Sequence, residues 1–407
     1  MTDTLRPRDA KDVAGAIEWA LADGKTLEVI GHGSKRAIGR AAQWDMTLDL
    51  SGVSGVTLYE PEELILSARA GTPLGEIEAM LAAKGQELAF EPMDYGPVLG
   101  SRERKGTLGG ALATNLSGPR RIKAGAARDH FLGVTAVSGR GETFKSGGRV
   151  VKNVTGYDLC KVLAGSWGTL AAMTDVTVKV LPRAESEQTL LLYGLDDRAA
   201  ASAMAAAMGS SAEVSGAAHL PAAIAPRTAG AAAAGRAVTA LRLEGVAPSI
   251  AHRLGTLEAL LKDAGTLVAI GDKASRALWQ AVRDVLAFAS PENAGRPLWR
   301  ISTAPLGGPE VAARIAARTA AEFFYDWAGG LVWVTVPASE DAGARLVRRA
   351  VAAAGGHATL IRAGMAARAS VDVFEPPESG LAALTRQVKQ SFDPRGLLGP
   401  GRMYAGI

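Results

Sequence analysis

Three glycine-rich runs hold the residues of this 407-residue chain whose types and spacing suit chemistry. The first, GHGSKR, runs from Gly31 to Arg36 and follows the apolar stretch Leu27 to Ile30. Successive residues without bulky side chains can aim their backbone N–H groups at one point, making an anion-binding nest. Lys35 and Arg36 add positive charge suited to a pyrophosphate. The same run is also what an ordinary tight turn looks like. It departs from the dinucleotide fingerprint, since Arg36 stands where the third glycine of GxGxxG belongs, and it lacks the Gly-Lys-Ser/Thr of a P-loop. The second run, GTLGGALATNLSGPRR from Gly106 to Arg121, joins four glycines to Asn115, Ser117 and paired arginines. The third, GYDLCKVLAGSWGTLAAMTD, spans Gly156 to Asp175. Glycine clusters mark tight turns or close approach of backbone to a ligand. Three such loops joined to β-like runs would line one extended ligand.

Composition narrows the chemistry. Lys and Arg number 45 against 41 acids, a net charge of +4. The positives are dispersed except at Arg102 to Lys105, Arg120 to Lys123 and among the late arginines, which suits small anions or an acidic partner rather than nucleic acid. The one cysteine, Cys160, can form no internal disulfide and holds no iron–sulfur cluster; it reads as a buried apolar residue. His32, His130, His219, His252 and His357 lie far apart, without the pairing a zinc site needs, so no metal site is expected. The N-terminus is polar and no stretch reaches the roughly 18 apolar residues that cross a bilayer. The expectation is a cytoplasmic protein.

The elements that must position these runs can be sketched from periodicity. Asp12 to Asp23 reads as an amphipathic helix, Leu27 to Ile30 as a strand, and Leu74 to Ala83 as a helix started by Thr72-Pro73. A hairpin turns at Gly139-Arg140-Gly141 between Val134, Ala136 and Thr143. Pro182 ends a strand and marks a boundary near 182–188. Beyond it, strand-like TLLLYGL, helix-like RAAASAMAAAMG, strand-like AVTALRLEGV and a helix after Pro248 suggest an α+β sheet with helices on one face. PLWRIST, GGLVWVTV and a helix over SEDAGARLVRRAVAAAG would repeat that unit, and PAAIAPRTAGAAAAGRA is a low-complexity loop. Trp279, Trp299, Trp327 and Trp333 read as core. Asp393-Pro394 stops the last helix at Phe392.

Taken together the runs resemble the flavoproteins related to vanillyl-alcohol oxidase and p-cresol methylhydroxylase (PCMH). Gly31 to Lys35 is similar to their pyrophosphate loop, Thr107-Leu108-Gly109-Gly110 to their T-I/L-G-G turn, Asn115 to Gly118 to the N-x-x-G that follows, and Asp129 to the acid after it. GSWGTLAAMTDVTVKV resembles the run whose backbone lies along the flavin ring, and FDPRGLLGPGRMY resembles the closing tail of the branch that oxidises 2-hydroxy acids. GGRVVKNVTGYDLCKVLAGSWGTL, NLSGPRRIKAGAARDHFLG and GGHATLIRA bring the resemblance closest to the smaller FAD-binding subunits of bacterial glycolate oxidases.

That resemblance implies an α+β fold: a two-subdomain PCMH-type FAD-binding domain over 1–182, a ferredoxin-like α+β cap or substrate domain over 183–390, and a tail, 391–407, returning to the FAD domain. It implies FAD as cofactor, held by Gly31, His32, Gly33, Ser34, Lys35, Thr107, Gly109, Gly110, Asn115, Gly118, Asp129, Gly168, Thr169 and Met173. Arg120 and Lys123 would neutralise phosphate or be solvated. His32 invites a covalent flavin link but reads first as a loop residue. The implied partners are a larger flavin-containing glycolate oxidase subunit and an iron–sulfur subunit, the substrate a small 2-hydroxy acid, and any membrane association indirect. Two other readings stand beside it: a self-sufficient FAD-dependent 2-hydroxy-acid dehydrogenase, and a non-catalytic assembly subunit with a vestigial flavin fold. Ala171 replaces a family glycine and Gly399 a family asparagine. The family's H-x-G-D-G-N-x-H segment is absent; only His357 stands near its place, and no catalytic residue is assigned.

Overall fold

The computed structural model describes residues 3–101, 106–149, 156–228 and 235–407. Residues 102–105, 150–155 and 229–234 lie outside it. So the basic run at Arg102 to Lys105, part of GGRVVKNVTGYD and part of the low-complexity loop are not described.

The first 182 residues form two main sheets and a short antiparallel pair, Gln86–Glu87 with Leu181–Pro182. Asp3–Leu5, Met46–Asp49 and Leu27–Ile30 make a parallel three-stranded sheet with Met46–Asp49 in the middle. The helix Ala10–Ala22, capped by Asp9, buries Val13, Ile17 and Ala20 against it. The second sheet is antiparallel, in the order Val56–Glu60, Ile65–Arg69, Ala171–Lys179, Phe131–Ser138, Thr143–Gly147. Its last pair is the hairpin expected around Gly139 to Gly141. The helix Leu74–Ala82 starts after Pro73. Thr72 does not cap it, because its hydroxyl donates to the Arg69 carbonyl at 2.7 Å.

The remainder is built on one eight-stranded antiparallel sheet. Ser186–Tyr193, Gly216–Leu220, Val238–Gly245 and Thr266–Ile270 form one half, with helices Asp197–Met208 and Ala247–Leu261 after its first and third strands. Leu298–Ser302, Glu322–Asp326, Leu331–Thr335 and His357–Arg362 repeat the pattern with helices Gly308–Ala316 and Ala344–Ala354. Each half is β-α-β-β-α-β with the fourth strand beside the first, which is the ferredoxin-like arrangement. The halves join where His219 pairs with Tyr325. Alternation along the strands decides the two faces. Leu190, Leu192, Leu241 and Leu243 pack under the first half's helices, whereas Leu191, Val238 and Ala240 face the N-terminal sheets. One helix departs from the one-face expectation. Asp272–Arg283 lies on the opposite face, its Leu278 and Trp279 sharing that inner core. Trp279, Trp299, Trp327 and Trp333 are all buried.

The last helix, Ser379–Phe392, ends where Asp393-Pro394 required. The chain then runs beside Leu27, whose N–H donates to Leu397 and whose carbonyl accepts from Gly399, both at 2.8 Å. Lys389 is buried and donates to Asp393 at 2.7 Å and to the Thr169 and Leu398 carbonyls at 2.7 and 2.8 Å, pinning the tail to the third glycine run. Among the described residues, no helix is long and apolar enough to cross a membrane.

Candidate functional site

The chain leaves the edge strand Leu27–Ile30 at Gly31, where a Cβ would lie 2.6 Å from the Thr107 hydroxyl; only glycine lets the two runs meet. Gly33 takes φ +71°, the left-handed region. The loop so shaped exposes its donors. Among the described residues, the backbone N–H groups of His32, Gly33, Ser34 and Lys35 donate to no protein acceptor. Among the described residues, the half-buried Lys35 ammonium has one hydrogen bond, to Ser34 Oγ at 3.2 Å, and no ion pair. Burial pushes its amine down to about 8, against the opposing pull of Asp94. Arg36 is different. Its guanidinium is bound to Glu28, so it brings little free charge. Arg402, from the tail, reaches the Lys35 carbonyl at 3.3 Å and lies 3.6 Å from the same Glu28.

The second run is not the loop that its glycines suggested. Thr107 accepts from the Gly110 N–H at 3.2 Å and caps a helix, Leu108–Ala113. The N–H of Leu108 donates to Thr72 and that of Gly109 to Ala70, at 3.0 and 2.8 Å. These amides are consumed inside the protein, so the TLGG glycines act through contact distance rather than as free donors. A Cβ on Gly109 would lie 2.6 Å from that of Ala70. The third run docks on the end of this helix through Trp167 N–H, 2.8 Å from the Ala113 carbonyl. Gly168 follows, and then the strand that carries Ala171 and Met173.

These pieces surround a cavity of about 670 Å³ open to solvent. Of the residues expected from sequence, Gly31, His32, Gly33, Ser34, Lys35, Thr107, Gly109, Gly110, Gly168 and Met173 line it. Asn115, Gly118, Asp129 and Thr169 do not, and each is engaged elsewhere. Asn115, at φ +51°, accepts the Arg128 N–H at 3.0 Å. The Gly118 carbonyl accepts from the Trp327 indole at 2.9 Å. Asp129 accepts the Ala126 N–H at 2.8 Å, and the Thr169 hydroxyl donates to the Ser166 carbonyl at 2.7 Å. Arg120 is neither a phosphate ligand nor solvated, whereas Lys123 is exposed to solvent, as one of the two expectations has it. Arg120 is buried against Glu87 at 2.7 Å and Glu244 at 2.6 Å, and Lys123 meets Glu213 at 3.3 Å. The sequence reading missed Thr114, Trp167 and Arg402 in the lining. Trp167 and Arg402 stand inside the quoted third run and tail, but only the fold brings them together, with Arg402 5.7 Å from the Trp167 ring.

The substitutions relative to the resembling family also find their places. Ala171 lines the cavity beside Met173, and Gly399, at φ +52°, packs on the Thr169 methyl. His357 opens the edge strand His357–Arg362 of the eight-stranded sheet, away from this lining. Cys160 is buried, and burial pushes its thiol up to about 12, which makes it inert at neutral pH. Among the described residues, no group of His, Cys, Asp and Glu could hold a metal.

A fan of four N–H groups without a partner among the described residues, a buried ammonium and a trough of Val29, Leu50, Ala70, Ala113 and Met173 fit the pyrophosphate and flat apolar body of FAD. Comparison with known proteins agrees. An FAD-binding-domain family model matches residues 4–147. The glycolate oxidase subunit GlcE of Escherichia coli is 33% identical over 392 residues, covering 96% of each chain. The glycolate oxidase subunit GlcD of Bacillus subtilis is 41% identical over 95 residues, covering 23% of this chain and 20% of that one. The structure of p-cresol methylhydroxylase with substrate bound superposes with a TM-score of 0.73 at 13% identity, covering 98% of this chain and 88% of that one. The fold is therefore the PCMH-type FAD-binding fold followed by an α+β cap.

Proposed function

Since this chain belongs to the GlcE family of glycolate oxidase subunits, we propose that it is the FAD-binding subunit of a multisubunit glycolate oxidase, a flavin-dependent oxidoreductase acting on 2-hydroxy acids. The observation that carries this reading is the convergence of the four free amides and Lys35 on one cavity. When bound, FAD accepts two electrons as hydride and can release them singly. The chain's own part is holding and shielding. The amides of His32 to Lys35 and the Lys35 ammonium take the phosphate charge. Gly31, Thr107, Gly109 and Gly110 keep the walls close, and Gly168 and Met173 border the apolar end. Trp167 also lines the cavity, and Arg402, from the tail, closes it beside the Lys35 carbonyl.

The unit that binds FAD is read as 1–182 with the tail 391–407, and 183–390 as its cap. A larger flavin-containing subunit and an iron–sulfur subunit would complete the enzyme and take electrons onward, in the cytoplasm or at the inner membrane through those partners. One cysteine cannot hold a cluster here, which suits that division of labour.

The purified chain is expected to show flavin absorption that survives gel filtration and is released on denaturation as free FAD. Folded, colourless protein that takes up no added FAD would reject the reading. Bleaching by glycolate without partners would instead make this chain self-sufficient.

A further inference from the structure

A second group of cations lies outside the flavin cavity. Trp327 follows the strand Glu322–Asp326, is 6% exposed and adopts φ +50°. Its indole N–H is fixed on the Gly118 carbonyl. Two guanidiniums rest against this one ring. Arg121, from the flavin-binding half, lies 4.2 Å from its centroid, and Arg300, from the sheet strand Leu298–Ser302, lies 4.9 Å away. One indole thus gathers like charges from both sides of the seam between the two halves.

What sets this pair apart is the lack of a counter-ion among the described residues. Other buried arginines stacked on tryptophan have one: Arg242 on Trp279 has Glu91 at 2.9 Å, Arg348 on Trp299 has Glu375, and Arg402 on Trp167 has Glu28 at 3.6 Å. Among the described residues, neither the Arg121 nor the Arg300 side chain makes a hydrogen bond or an ion pair. Both are half-buried, and burial lowers both pKa values, with Arg300 adding to the effect on Arg121.

The surrounding groups do not neutralise them. Asp129 acts on Arg121 from a distance, but its carboxylate is taken by the Ala126 N–H. Asp326 acts on Arg300, yet it is bound by the Trp327 N–H at 2.7 Å, and burial pushes its carboxyl up to about 7, so it carries only part of a charge at neutrality. Tyr95 is a buried phenol packed edge-on to Trp333. His357 pairs with Ser302, two residues along the strand from Arg300 and so on the same face of the sheet. It is held below its ordinary value first by burial and then by Arg300, with Glu375 opposing and Arg121 adding to the effect.

Two partly desolvated guanidiniums without an anion are costly to fold. The cost is recovered when an anion arrives, and the planar fork of arginine matches a carboxylate through paired N–H donors. We propose that Arg121 and Arg300, held on Trp327, form a binding site for the carboxylate of a small 2-hydroxy acid or its oxidised product, with His357 at its rim. This rests on the glycolate-oxidase reading for the ligand's class but not for the site's existence.

The test is calorimetric titration of the full-length chain with glycolate and with oxalate, a dicarboxylate without a hydroxyl to oxidise, using sulfate as control. Arg121→Gln and Arg300→Gln are each expected to weaken oxalate binding at least about tenfold, the loss of a charge-assisted hydrogen bond. FAD content should stay unchanged, melting temperature should not fall, because an uncompensated charge has been removed, and sulfate should bind far more weakly than oxalate. Arg121 belongs to the four-residue helix Arg121–Ala124, which has no buried residue, so its variant tests the site even if Arg300→Gln fails to fold. Equal affinity in wild type and Arg121→Gln, no carboxylate uptake by wild type, or sulfate binding as tight as oxalate would each overturn the proposal. Arginine-dependent oxalate binding in a chain that takes up no FAD would leave this site standing and remove the flavin reading; bound FAD with arginine-independent oxalate binding would do the reverse.

Discussion

Among the described residues, the Lys35 ammonium has Ser34 as its only hydrogen-bond partner, and its pKa is depressed by burial, so its charge is a cost in the free protein. Because the folded value of about 8 lies below the ordinary 10.5, the cost is full below pH 8 and fades as pH rises toward 10.5. A bound phosphate reverses the preference, since it holds the ammonium form. FAD affinity is therefore expected to fall as pH rises through about 8, read by fluorescence titration of the apoprotein. Lys35→Met should weaken FAD binding by roughly ten- to a hundredfold, the equivalent of about 1.5–3 kcal/mol for a hydrogen bond to a charged group, and abolish that pH dependence. An unchanged profile in the variant would place the phosphate elsewhere. The charge of Lys35 was legible in GHGSKR; the neutralisation of its neighbour Arg36 was not, because Glu28 lies on the strand before the loop and reads there as an ordinary alternating residue.

Among elements, the helix Leu108–Ala113 shows how packing overrides propensity. Two glycines in its first turn lower its intrinsic helicity and made the run read as a loop. Thr107 caps it, and the glycines let it sit directly on the end of the strand Ile65–Arg69, where Ala70 accepts the Gly109 amide. Gly109→Val must force helix and strand apart. The expected result is a loss of about 1–3 kcal/mol in stability together with loss of FAD, measured by thermal melting and flavin content. Gly75 is the contrast: it is exposed in the helix Leu74–Ala82, and a Cβ there meets nothing within 4 Å. Gly75→Ala should leave FAD content alone and add about 0.5–1 kcal/mol, so a loss there would contradict the contact argument. Strands rich in β-branched and large apolar residues could be placed from sequence. Gly216–Leu220, of sequence GAAHL, could not, because a buried run that opens with three small residues becomes a strand only by lying between Val238–Gly245 and Glu322–Asp326.

At the scale of the whole molecule, the two halves are joined by buried charge. Glu87, Glu91 and Arg120 come from the flavin-binding half, and Arg242 and Glu244 from the strand Val238–Gly245. Arg242 binds Glu91 through two hydrogen bonds, at 2.9 and 3.0 Å. Although burial opposes it, the guanidiniums of Arg242 and Arg120 hold Glu91 down at about 2, and they lower Glu244 as well. Depressed carboxyls contribute stability above their ordinary value near 4.5 and lose it as pH falls toward 2. Glu87 is raised by burial and works in the opposite sense, so the acid loss belongs to Glu91 and Glu244. Arg242→Met should destabilise the protein by roughly 3–5 kcal/mol at neutral pH, by leaving Glu91 short of a partner. It should also flatten the fall in urea midpoint below pH 4.5, and an equally steep fall in the variant would show that the network does not set the acid limit.

Local chemistry was settled by the sequence itself: the donor-rich glycine loop, the hairpin at Gly139 to Gly141, the stop at Asp393-Pro394 and the repeated β-α-β pattern all follow from properties of adjacent residues. The tertiary structure alone decided which charges are free. Arg36, Arg120 and Lys123 look as available in the chain as Lys35, Arg121 and Arg300. Their carboxylates arrive from other strands and from the other half of the molecule, at separations in sequence that no local pattern encodes. Burial then turns that difference into function, because a charge without a partner costs little in water and much in a cleft.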